Sequence, residues 1–173
     1  MAVTLEQLLQ SREERHLHQM SLLQLYPGST LVCMTVIMPG PVKRDSRSLT
    51  VAASGENEME KAFEGQIRWH ESRDLETGYE AYFVTDVPRD EAKRICCGIE
   101  DTAPLGRLFD LDVIGEDGAP LSRSAYGVSP RRCLLCDHEA RYCMRNHTHT
   151  LEELLTKIDG MVTSFKKADY KSK

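Results

Sequence analysis

Length, composition and charge are those of an ordinary soluble domain. The chain has 173 residues, enough for one medium-sized domain with a hydrophobic core, and 40% hydrophobic with 28% charged residues is typical of globular proteins. The formal net charge of −5 argues against a nucleic-acid partner, because general nucleic-acid-binding proteins are usually basic.

The sequence predicts a cytoplasmic protein with no membrane partner. Its longest apolar stretch, residues 31–38, is far shorter than the roughly 20 residues that a membrane-spanning helix needs. The first residues combine neither a positive segment nor an apolar core of the secretory type. Six cysteines without such a signal are typical of a reducing compartment, where cysteines serve as free thiols or metal ligands.

Apolar periodicity predicts an α+β domain. Capping boxes at Thr4–Gln7 and Thr150–Glu153 indicate helix starts, and the branched apolar stretch 30–38 indicates a central strand buried on both faces. Turn residues at 74–78 and 115–118 indicate hairpins. In chain order we expect a helix over 4–26, a strand over 30–38, a helix over 45–64 weakened at Gly55, strands over 66–72 and 79–85, a helix over 88–99, a strand over 108–114 pairing back with 119–122, and a helix from 151.

This order of elements predicts one mixed or antiparallel sheet flanked by helices, in a single domain over residues 1–165. Within that domain, residues 127–149 look irregular and carry several cysteine and histidine residues. The tail at 166–173 is expected to be disordered.

The segment Gly106-Arg-Leu-Phe-Asp-Leu-Asp-Val113 carries the clearest chemical signal. In a strand, Asp110 and Asp112 project from the same face, because side chains alternate with a period of two. Two such carboxylates repel each other unless a cation lies between them, and Mg²⁺ prefers carboxylate oxygens while leaving positions for water and phosphate. Arg107, after a glycine that lets the backbone approach a ligand, suits a polyphosphate. Together these residues predict a phosphoryl- or nucleotidyl-transfer site.

An ordinary half-exposed strand is the alternative for this segment. Alternating polar and apolar residues occur in any strand with one solvent-facing side, and an Asp-x-Asp pair alone is a weak pattern. Glu80, Asp86 and Asp101 are further acids, and their spacing selects none of them as a third metal ligand.

A second group of residues with metal chemistry lies in the irregular segment. Cys133-x-x-Cys136 has the spacing of a ligand pair, and Cys143, His147 and His149 follow it, so four of these side chains would suit tetrahedral Zn²⁺. Buried free thiols are one alternative and a redox pair is another. The two histidines are also candidates for catalysis, for phosphate binding or for simple exposure to solvent.

Basic residues cluster beside the cysteines of this acidic chain. Arg131 and Arg132 directly precede Cys133, which predicts a local anionic ligand or partner. Lys43 follows the stiff loop Pro39-Gly40-Pro41 at the end of the buried strand, where ligand contacts are common. For each of these basic residues taken singly, the alternative to ligand binding is that it is an ordinary solvent-exposed residue of a surface loop.

Four segments of the chain resemble one known family. They are Leu-x-Ser-Arg-Glu-Glu-Arg at 9–15, Pro-Gly-Pro-Val-Lys at 39–43, Pro-Leu-Gly-Arg-Leu-Phe-Asp-Leu-Asp-Val at 104–113, and Pro-Arg-Arg-Cys-Leu-Leu-Cys at 130–136 followed by His147-Thr-His149. Over about residues 5–160 the chain is similar to the citrate lyase holo-acyl-carrier-protein synthases, also called apo-citrate lyase phosphoribosyl-dephospho-coenzyme A transferases. Residues 49–79 match loosely, and Phe109 stands where tryptophan is expected.

The resemblance implies a reaction and its partners. The donor is 2′-(5″-triphosphoribosyl)-3′-dephospho-coenzyme A, and the acceptor is a serine hydroxyl on the apo acyl carrier subunit of citrate lyase. Attack at the α-phosphate forms a phosphodiester and releases pyrophosphate. In the related malonate decarboxylase transferase an Asp-x-Asp pair is the nucleotidyltransferase signature, and it maps onto Asp110 and Asp112. A nucleotidyltransferase-like domain with Mg²⁺ on this pair is therefore implied.

Further residue roles are hypotheses built on that reaction. Arg107 and Lys43 are expected to neutralise the departing pyrophosphate, with the backbone at Gly106 close to the donor. Arg131 and Arg132 are expected either to dock the acidic carrier or to grip the nucleotide end of the donor.

Two other functions stay open from the sequence. A small zinc-containing binding module would use Cys133, Cys136 and Cys143 to organise an arginine-rich surface, and it would bind DNA or RNA in a salt-sensitive way without releasing pyrophosphate. The malonate decarboxylase counterpart would use the same donor on a different carrier, but the cysteine segment favours citrate lyase.

Overall fold

The computed structural model describes residues 1–171 of the chain. Within them, the chain forms four strands and five α-helices. In chain order they are α1 Leu5–Leu25, β1 Thr30–Val36, α2 Ser46–Ala62, β2 Ile67–Leu75, β3 Gly78–Thr85, α3 Arg89–Thr102, β4 Phe109–Ile114, α4 Ala140–Asn146 and α5 Leu151–Lys171. Within the described residues, no helix has the length and apolar content to span a membrane.

The strands form one antiparallel sheet in the order β2-β3-β1-β4, so the α+β prediction is confirmed in its antiparallel form. β1 is central, as its apolar composition predicts, and Val32 and Met34 are fully buried. The strand expected at 119–122 is reduced to a bridge between Ile114 and Pro120, because proline donates no ladder hydrogen bond.

One face of the sheet builds the main core together with α2, α3 and α5. Gly55 lies where α2 crosses this face. A Cβ atom on Gly55 would come within 2.6 Å of the Met34 sulfur and 3.2 Å of the Phe109 ring. The glycine that was predicted to weaken the helix is therefore the residue that lets α2 pack closely on the sheet.

The other face carries a smaller apolar cluster, in which Leu22 of α1 packs with Leu31 and Tyr82 of the sheet, and polar side chains lie next to it. Arg15 Nη1 lies 3.2 Å from a Glu80 carboxylate oxygen. His18 Nε2 lies 2.9 Å from Glu71, and the His18 ring meets the Tyr82 ring edge-on at 4.6 Å between centroids. The acid pair predicted from the sequence lies on this same face, toward the β4 edge of the sheet.

Two predictions about irregular regions need correction. Residues 140–146 form α4 inside the segment expected to be irregular, because no glycine or proline interrupts them. Residues 166–171 continue α5 instead of starting a disordered tail, since Phe165 still packs against the main core and no helix breaker follows it. Residues 172–173 of that expected tail lie outside the described residues.

Candidate active site and metal-binding cluster

A cleft of about 980 Å³ opens beside β4. Asp110 and Asp112 contribute carboxylates to its wall. Most of the other charged groups in the wall are cations, namely Arg15, Lys43, Lys93, Arg107, Arg123, Arg131, Arg132 and Arg141. A carboxylate pair among many cations is an arrangement that suits a polyphosphate bound together with a metal ion.

β4 positions the acid pair in the predicted way. Leu111 and Val113 are fully buried in the main core, whereas Asp110 and Asp112 point to the opposite face. The strand register pairs Asp110 with Thr35 and Asp112 with Cys33 of β1. The two carboxylates are thus held by a rigid central strand pair, and the prediction that they share a face is confirmed.

The two acids repel each other in the protein without metal. Burial raises the pKa of Asp112 to about 6, and the charge of Asp110 adds to the rise. Lys93 of α3 opposes the shift, and Arg15 of α1 opposes it more weakly. A carboxyl group with such a pKa binds a proton or a cation more readily than an exposed aspartate does.

Arg131 belongs to the acid group. Its guanidinium donates to Asp110 Oδ1 over 3.1 Å and to the backbone carbonyls of Phe109 and Arg107 over 2.6 and 3.2 Å. The guanidinium of Arg131 thus ties the cysteine-bearing segment to the start of β4, and its contact with the carrier or the nucleotide stays a prediction.

Glu100 of α3 is a third carboxylate in the cleft wall. It is buried, and its carboxylate accepts hydrogen bonds of 2.8 Å from the backbone N–H of Leu111 and from Arg123. Burial raises the pKa of Glu100, while Arg131 opposes the rise. The sequence offered Glu80, Asp86 and Asp101 as further acids, and none of these is the acid bonded to β4.

Two features of the sequence pointed to the residues that the predictions missed. Lys93 and Glu100 are seven residues apart on α3, so two helical turns bring them to one face. Arg15 ends the first of the four segments that resemble the known family, where it had no assigned role. These three residues come near Asp112 only through contacts between distant parts of the chain.

The predicted phosphate-binding residues have partners of their own. Arg107 donates to the backbone carbonyl of Arg132 and, over 3.0 Å, to that of Cys133. Lys43 Nζ donates to the Met38 carbonyl over 2.6 Å, and burial lowers the pKa of Lys43.

Gly106 is buried, whereas the side chain of Arg132 is exposed to solvent. A Cβ atom on Gly106 would meet the carbonyl oxygens of Ile99 and Glu100 of α3 at 2.3 and 2.8 Å, so this glycine serves close backbone packing. The side chain of Arg132 is 69% exposed at the rim of the cleft. Contact of either residue with a substrate stays a prediction.

Four ligand atoms come together at the cysteine-bearing segment. Sulfur atoms of Cys133, Cys136 and Cys143 and a ring nitrogen of His149 all lie within 4.8 Å of one another. The Cys136 and Cys143 sulfurs are 3.5 Å apart, and His149 Nε2 is 3.3 Å from the Cys136 sulfur. Tetrahedral coordination with bonds of about 2.0–2.3 Å separates neighbouring ligands by roughly 3.4–3.8 Å. This cluster can therefore hold a metal ion.

The thiols of this cluster have different pKa values, since burial and the neighbouring Cys136 and Cys133 raise the pKa of Cys143 to about 11, whereas the pKa of Cys133 is lowered. Burial acts to raise the pKa of Cys133, but hydrogen bonds from the backbone N–H groups of Leu135 and Cys136 bring it down to about 7. Burial raises the pKa of Cys33 in β1 to about 12. Only a thiolate is a good metal ligand, so the surroundings of Cys133 favour coordination.

His147 is not part of the cluster, which corrects its prediction as a metal ligand. It caps the C-terminus of α4 in the left-handed conformation, with φ 47°. This turn reverses the chain direction after α4 and leaves His149, two residues later, within reach of Cys136.

The chain is thus an α+β protein in which a carboxylate pair lies among many cations in one cleft. The family of apo-citrate lyase phosphoribosyl-dephospho-CoA transferases matches residues 3–165, and the chain belongs to this family. The resemblance noted in the sequence is thereby confirmed, and an enzyme is favoured over a small zinc-containing binding module.

Individual relatives are similar along nearly the whole chain. A probable apo-citrate lyase phosphoribosyl-dephospho-CoA transferase of Streptococcus pyogenes serotype M18 is 35% identical over 175 residues, covering 99% of this chain and 91% of the relative. The apo-citrate lyase phosphoribosyl-dephospho-CoA transferase of Escherichia coli O6:H1 is 35% identical over 164 residues, covering 93% and 89%.

Proposed function

We propose that the protein transfers the phosphoribosyl-dephospho-coenzyme A group from its triphosphate precursor to a serine of the apo acyl carrier subunit of citrate lyase. The family match over residues 3–165 is the observation that carries this proposal. In the reaction the serine oxygen forms a bond to the α-phosphorus, the bond from that phosphorus to the pyrophosphate oxygen breaks, and the serine proton passes to a base. The reducing environment that suits six free cysteines favours the cytoplasm as its location.

Asp110 and Asp112 are proposed to hold Mg²⁺ in a nucleotidyltransferase-like site. Mg²⁺ bound there would offset the charge of the triphosphate during displacement. One of these two carboxylates is also proposed to accept the serine proton, because both lie at the site where the metal and the triphosphate would meet. Glu100 supports both acids through its hydrogen bond to the backbone between them.

Cations around the pair are proposed to bind the phosphates. The charges of Arg15 and Lys93 both act on Asp112, and Lys43 and Arg107 line the same cleft. Each retains N–H donors beyond the contacts described above, and donors fixed before the reaction stabilise the charge that moves onto pyrophosphate. The exposed Arg132 at the rim is suited to meeting an acidic carrier protein.

For the Cys/His cluster we propose Zn²⁺ as the metal. Three thiolates and one imidazole are ligands that Zn²⁺ prefers, and four protein ligands leave no open position, as in structural zinc sites. Metal analysis of the purified protein tests this assignment directly.

Intact-mass spectrometry of the carrier tests the reaction. The protein, the apo carrier subunit, the triphosphate donor and Mg²⁺ are mixed, and a carrier mass gain equal to the donor minus pyrophosphate is expected. The gain should be lost with EDTA and with Asp110→Asn. Asp86→Asn is the matched control and should leave transfer unchanged, since this aspartate is 62% exposed, pairs with Arg68 and does not line the cleft.

Negative results of this assay have distinct meanings. No gain on a folded carrier that a control transferase does modify contradicts the proposal. A gain on the malonate decarboxylase carrier, with none on the citrate lyase carrier, would instead assign the acceptor of the related reaction.

A further inference from the structure

We propose that the metal-bound Cys/His cluster positions Arg131 and Arg107 against β4, so that the catalytic cleft is complete only in the metal-loaded protein. The link to transfer activity rests on the proposed function. The link between the cluster and the geometry of β4 does not, and it can be measured without substrate.

The segment that carries the cluster has little apolar core of its own. Among residues 122–149, the buried positions are Cys133 and Cys143, both of them cluster members, and Leu134 packs partly against the main core. α4 has seven residues, too few to be stable as an isolated helix. A segment of this kind needs another source of order, and a metal cross-link is a source that small metal-binding modules use.

The four ligands come from separate pieces of this segment. Cys133 and Cys136 lie in a tight hairpin, closed by hydrogen bonds from Cys133 N–H to the His138 carbonyl over 2.7 Å and from Ala140 N–H to the Arg131 carbonyl over 2.8 Å. Cys143 lies on α4, and His149 lies just before α5. A metal ion on these ligands therefore joins the hairpin, α4 and the start of α5 at one point.

Two arginines connect that point to β4. Arg131, two residues before the first ligand, donates to Asp110 and to the carbonyls of Phe109 and Arg107. Arg107, three residues before Asp110, donates in the opposite direction, to the carbonyls of Arg132 and Cys133. Because Cys133 is both a ligand and a hydrogen-bond acceptor of Arg107, displacing it disturbs the contacts that hold Arg131 on Asp110.

The segment also forms part of the cleft wall. Cys133, Cys143 and His149 line the same cleft as Asp110. Opening of the segment would remove this part of the wall and admit water next to the acid pair. The cluster ligands are in this sense the positioning residues, and they maintain the geometry of Arg131 and Arg107.

A matched pair of histidine variants tests the inference. His149→Ala removes a ligand, whereas His147→Asn changes a neighbouring histidine outside the cluster and keeps a residue that tolerates positive φ. Wild type and His147→Asn, purified without chelators, are expected to hold about one zinc per chain. His149→Ala should hold much less, and His149→Cys, which restores four ligands, should recover the metal.

Hydrogen exchange read by mass spectrometry reports the position of the segment. In His149→Ala, amides in 131–149 and at the start of β4 should exchange faster, while those of β1 and β3 stay as in wild type. Transfer should fall by about 10- to 100-fold in His149→Ala and recover in His149→Cys. The protected amides of β1 and β3 exclude general unfolding as the cause.

Several results would overturn the inference. A wild-type protein that takes up no zinc even when zinc is supplied lacks the proposed metal. A His149→Ala variant with unchanged exchange at β4 and full transfer shows that the cluster does not position the arginines. A different outcome separates the two proposals: if wild type binds zinc and His149→Ala exchanges faster than wild type at β4, but wild type transfers nothing to the carrier, the proposed function fails while the structural link stands.

Discussion

Alternate residues of β4 face two different environments. Leu111 is 1% exposed and Val113 is fully buried in the main core, whereas Asp110 and Asp112 face the cleft. The strand period of two makes this division possible, because the apolar residues anchor the same backbone that carries the acids. Stability and chemistry are thus assigned to different residues of one strand, and substitutions can separate them.

The acid-bearing side of the strand destabilises the fold in the absence of metal. Burial and the neighbouring Asp110 charge raise the pKa of Asp112 to about 6, which means that its ionised form is unfavourable in the folded state. Such a cost is consistent with the proposed metal-binding role of Asp112, because active sites commonly trade stability for function.

Asp112→Asn should produce the largest effects, with opposite signs for activity and stability. Transfer is expected to fall by at least about 1,000-fold, because the metal and the triphosphate lose a charged ligand. The free energy of unfolding of the Mg²⁺-free protein at about pH 8 should rise by about 1–3 kcal/mol, since the variant lacks the buried charge. Carrier mass spectrometry and urea unfolding measure the two effects.

The gain in stability should depend on pH in one direction. The pKa of Asp112 rises from 3.8 to about 6 on folding, so the penalty is complete above the folded value. As pH falls through about 6 towards 4, folded wild type takes up the proton and the penalty disappears, and the advantage of the variant should shrink. An advantage that grows on acidification, or a variant with normal transfer, contradicts this account.

Leu111→Ala should show the reverse behaviour. Removing this fully buried side chain is expected to lower the free energy of unfolding by about 2–5 kcal/mol. Transfer per folded molecule should stay within a few-fold of wild type, because the cleft face of β4 is untouched. Leu17→Ala is the control, since Leu17 is 59% exposed and its loss should change stability by less than about 0.5 kcal/mol. Loss of transfer at full folding would show that the two faces are not separable.

Local signals made much of the fold predictable. The Thr4 capping box forms as expected, with the Thr4 side chain accepting from Gln7 N–H and the Gln7 side chain accepting from Thr4 N–H. The branched residues of β1 and the alternation in β4 predicted their positions and faces correctly. These features depend on neighbours within one element, so the sequence contains the information directly.

The completed site was not predictable in the same way. Glu100 and Lys93 reach Asp112 only because α3 packs beside β4, and Arg107 finds its acceptors 25 and 26 residues away along the chain. The turn at the end of α4 determines that His149, and not His147, reaches the cysteine cluster. Contacts across such sequence separations are set by tertiary packing, for which spacing patterns give no geometry.

Two helical glycines sharpen the comparison between packed and open surfaces. Gly55→Ala should lower the free energy of unfolding by about 1–3 kcal/mol, because the new Cβ would lie 2.6 Å from the buried Met34 sulfur and 3.2 Å from the Phe109 ring. Gly98→Ala in α3 has no neighbouring atom within 4 Å and should raise stability by about 0.5–1 kcal/mol through helix propensity. Thermal unfolding of both variants measures the difference, and equal shifts would mean that α2 does not pack as described.

Substitution of Asp45 should give the smallest change in the free energy of unfolding. The pH dependence of that change should be opposite to the one expected for Asp112. Asp45 caps α2, accepting from the backbone N–H groups of Arg47 and Ser48 over 2.9 and 3.0 Å. Burial acts to raise the pKa of Asp45, but hydrogen bonds from Arg47 and Ser48 outweigh it and leave the pKa below its ordinary value.

Because its folded pKa is lowered, Asp45 stabilises the protein above the unfolded value of 3.8, and this contribution is lost as pH falls through the folded value. Asn caps helices about as well as Asp, so Asp45→Asn removes mainly the charge and should lower the free energy of unfolding by about 0.5–1 kcal/mol at about pH 7. The deficit should shrink as pH falls below about 4, because Asp45 of the wild type then takes up a proton and loses the charge that the variant lacks. Urea unfolding of Asp45→Asn and Asp112→Asn across the same pH series should therefore give a loss for one and a gain for the other at neutral pH, with both approaching wild type in acid. A deficit in Asp45→Asn that persists unchanged in acid would assign the effect to the amide itself and not to the charge.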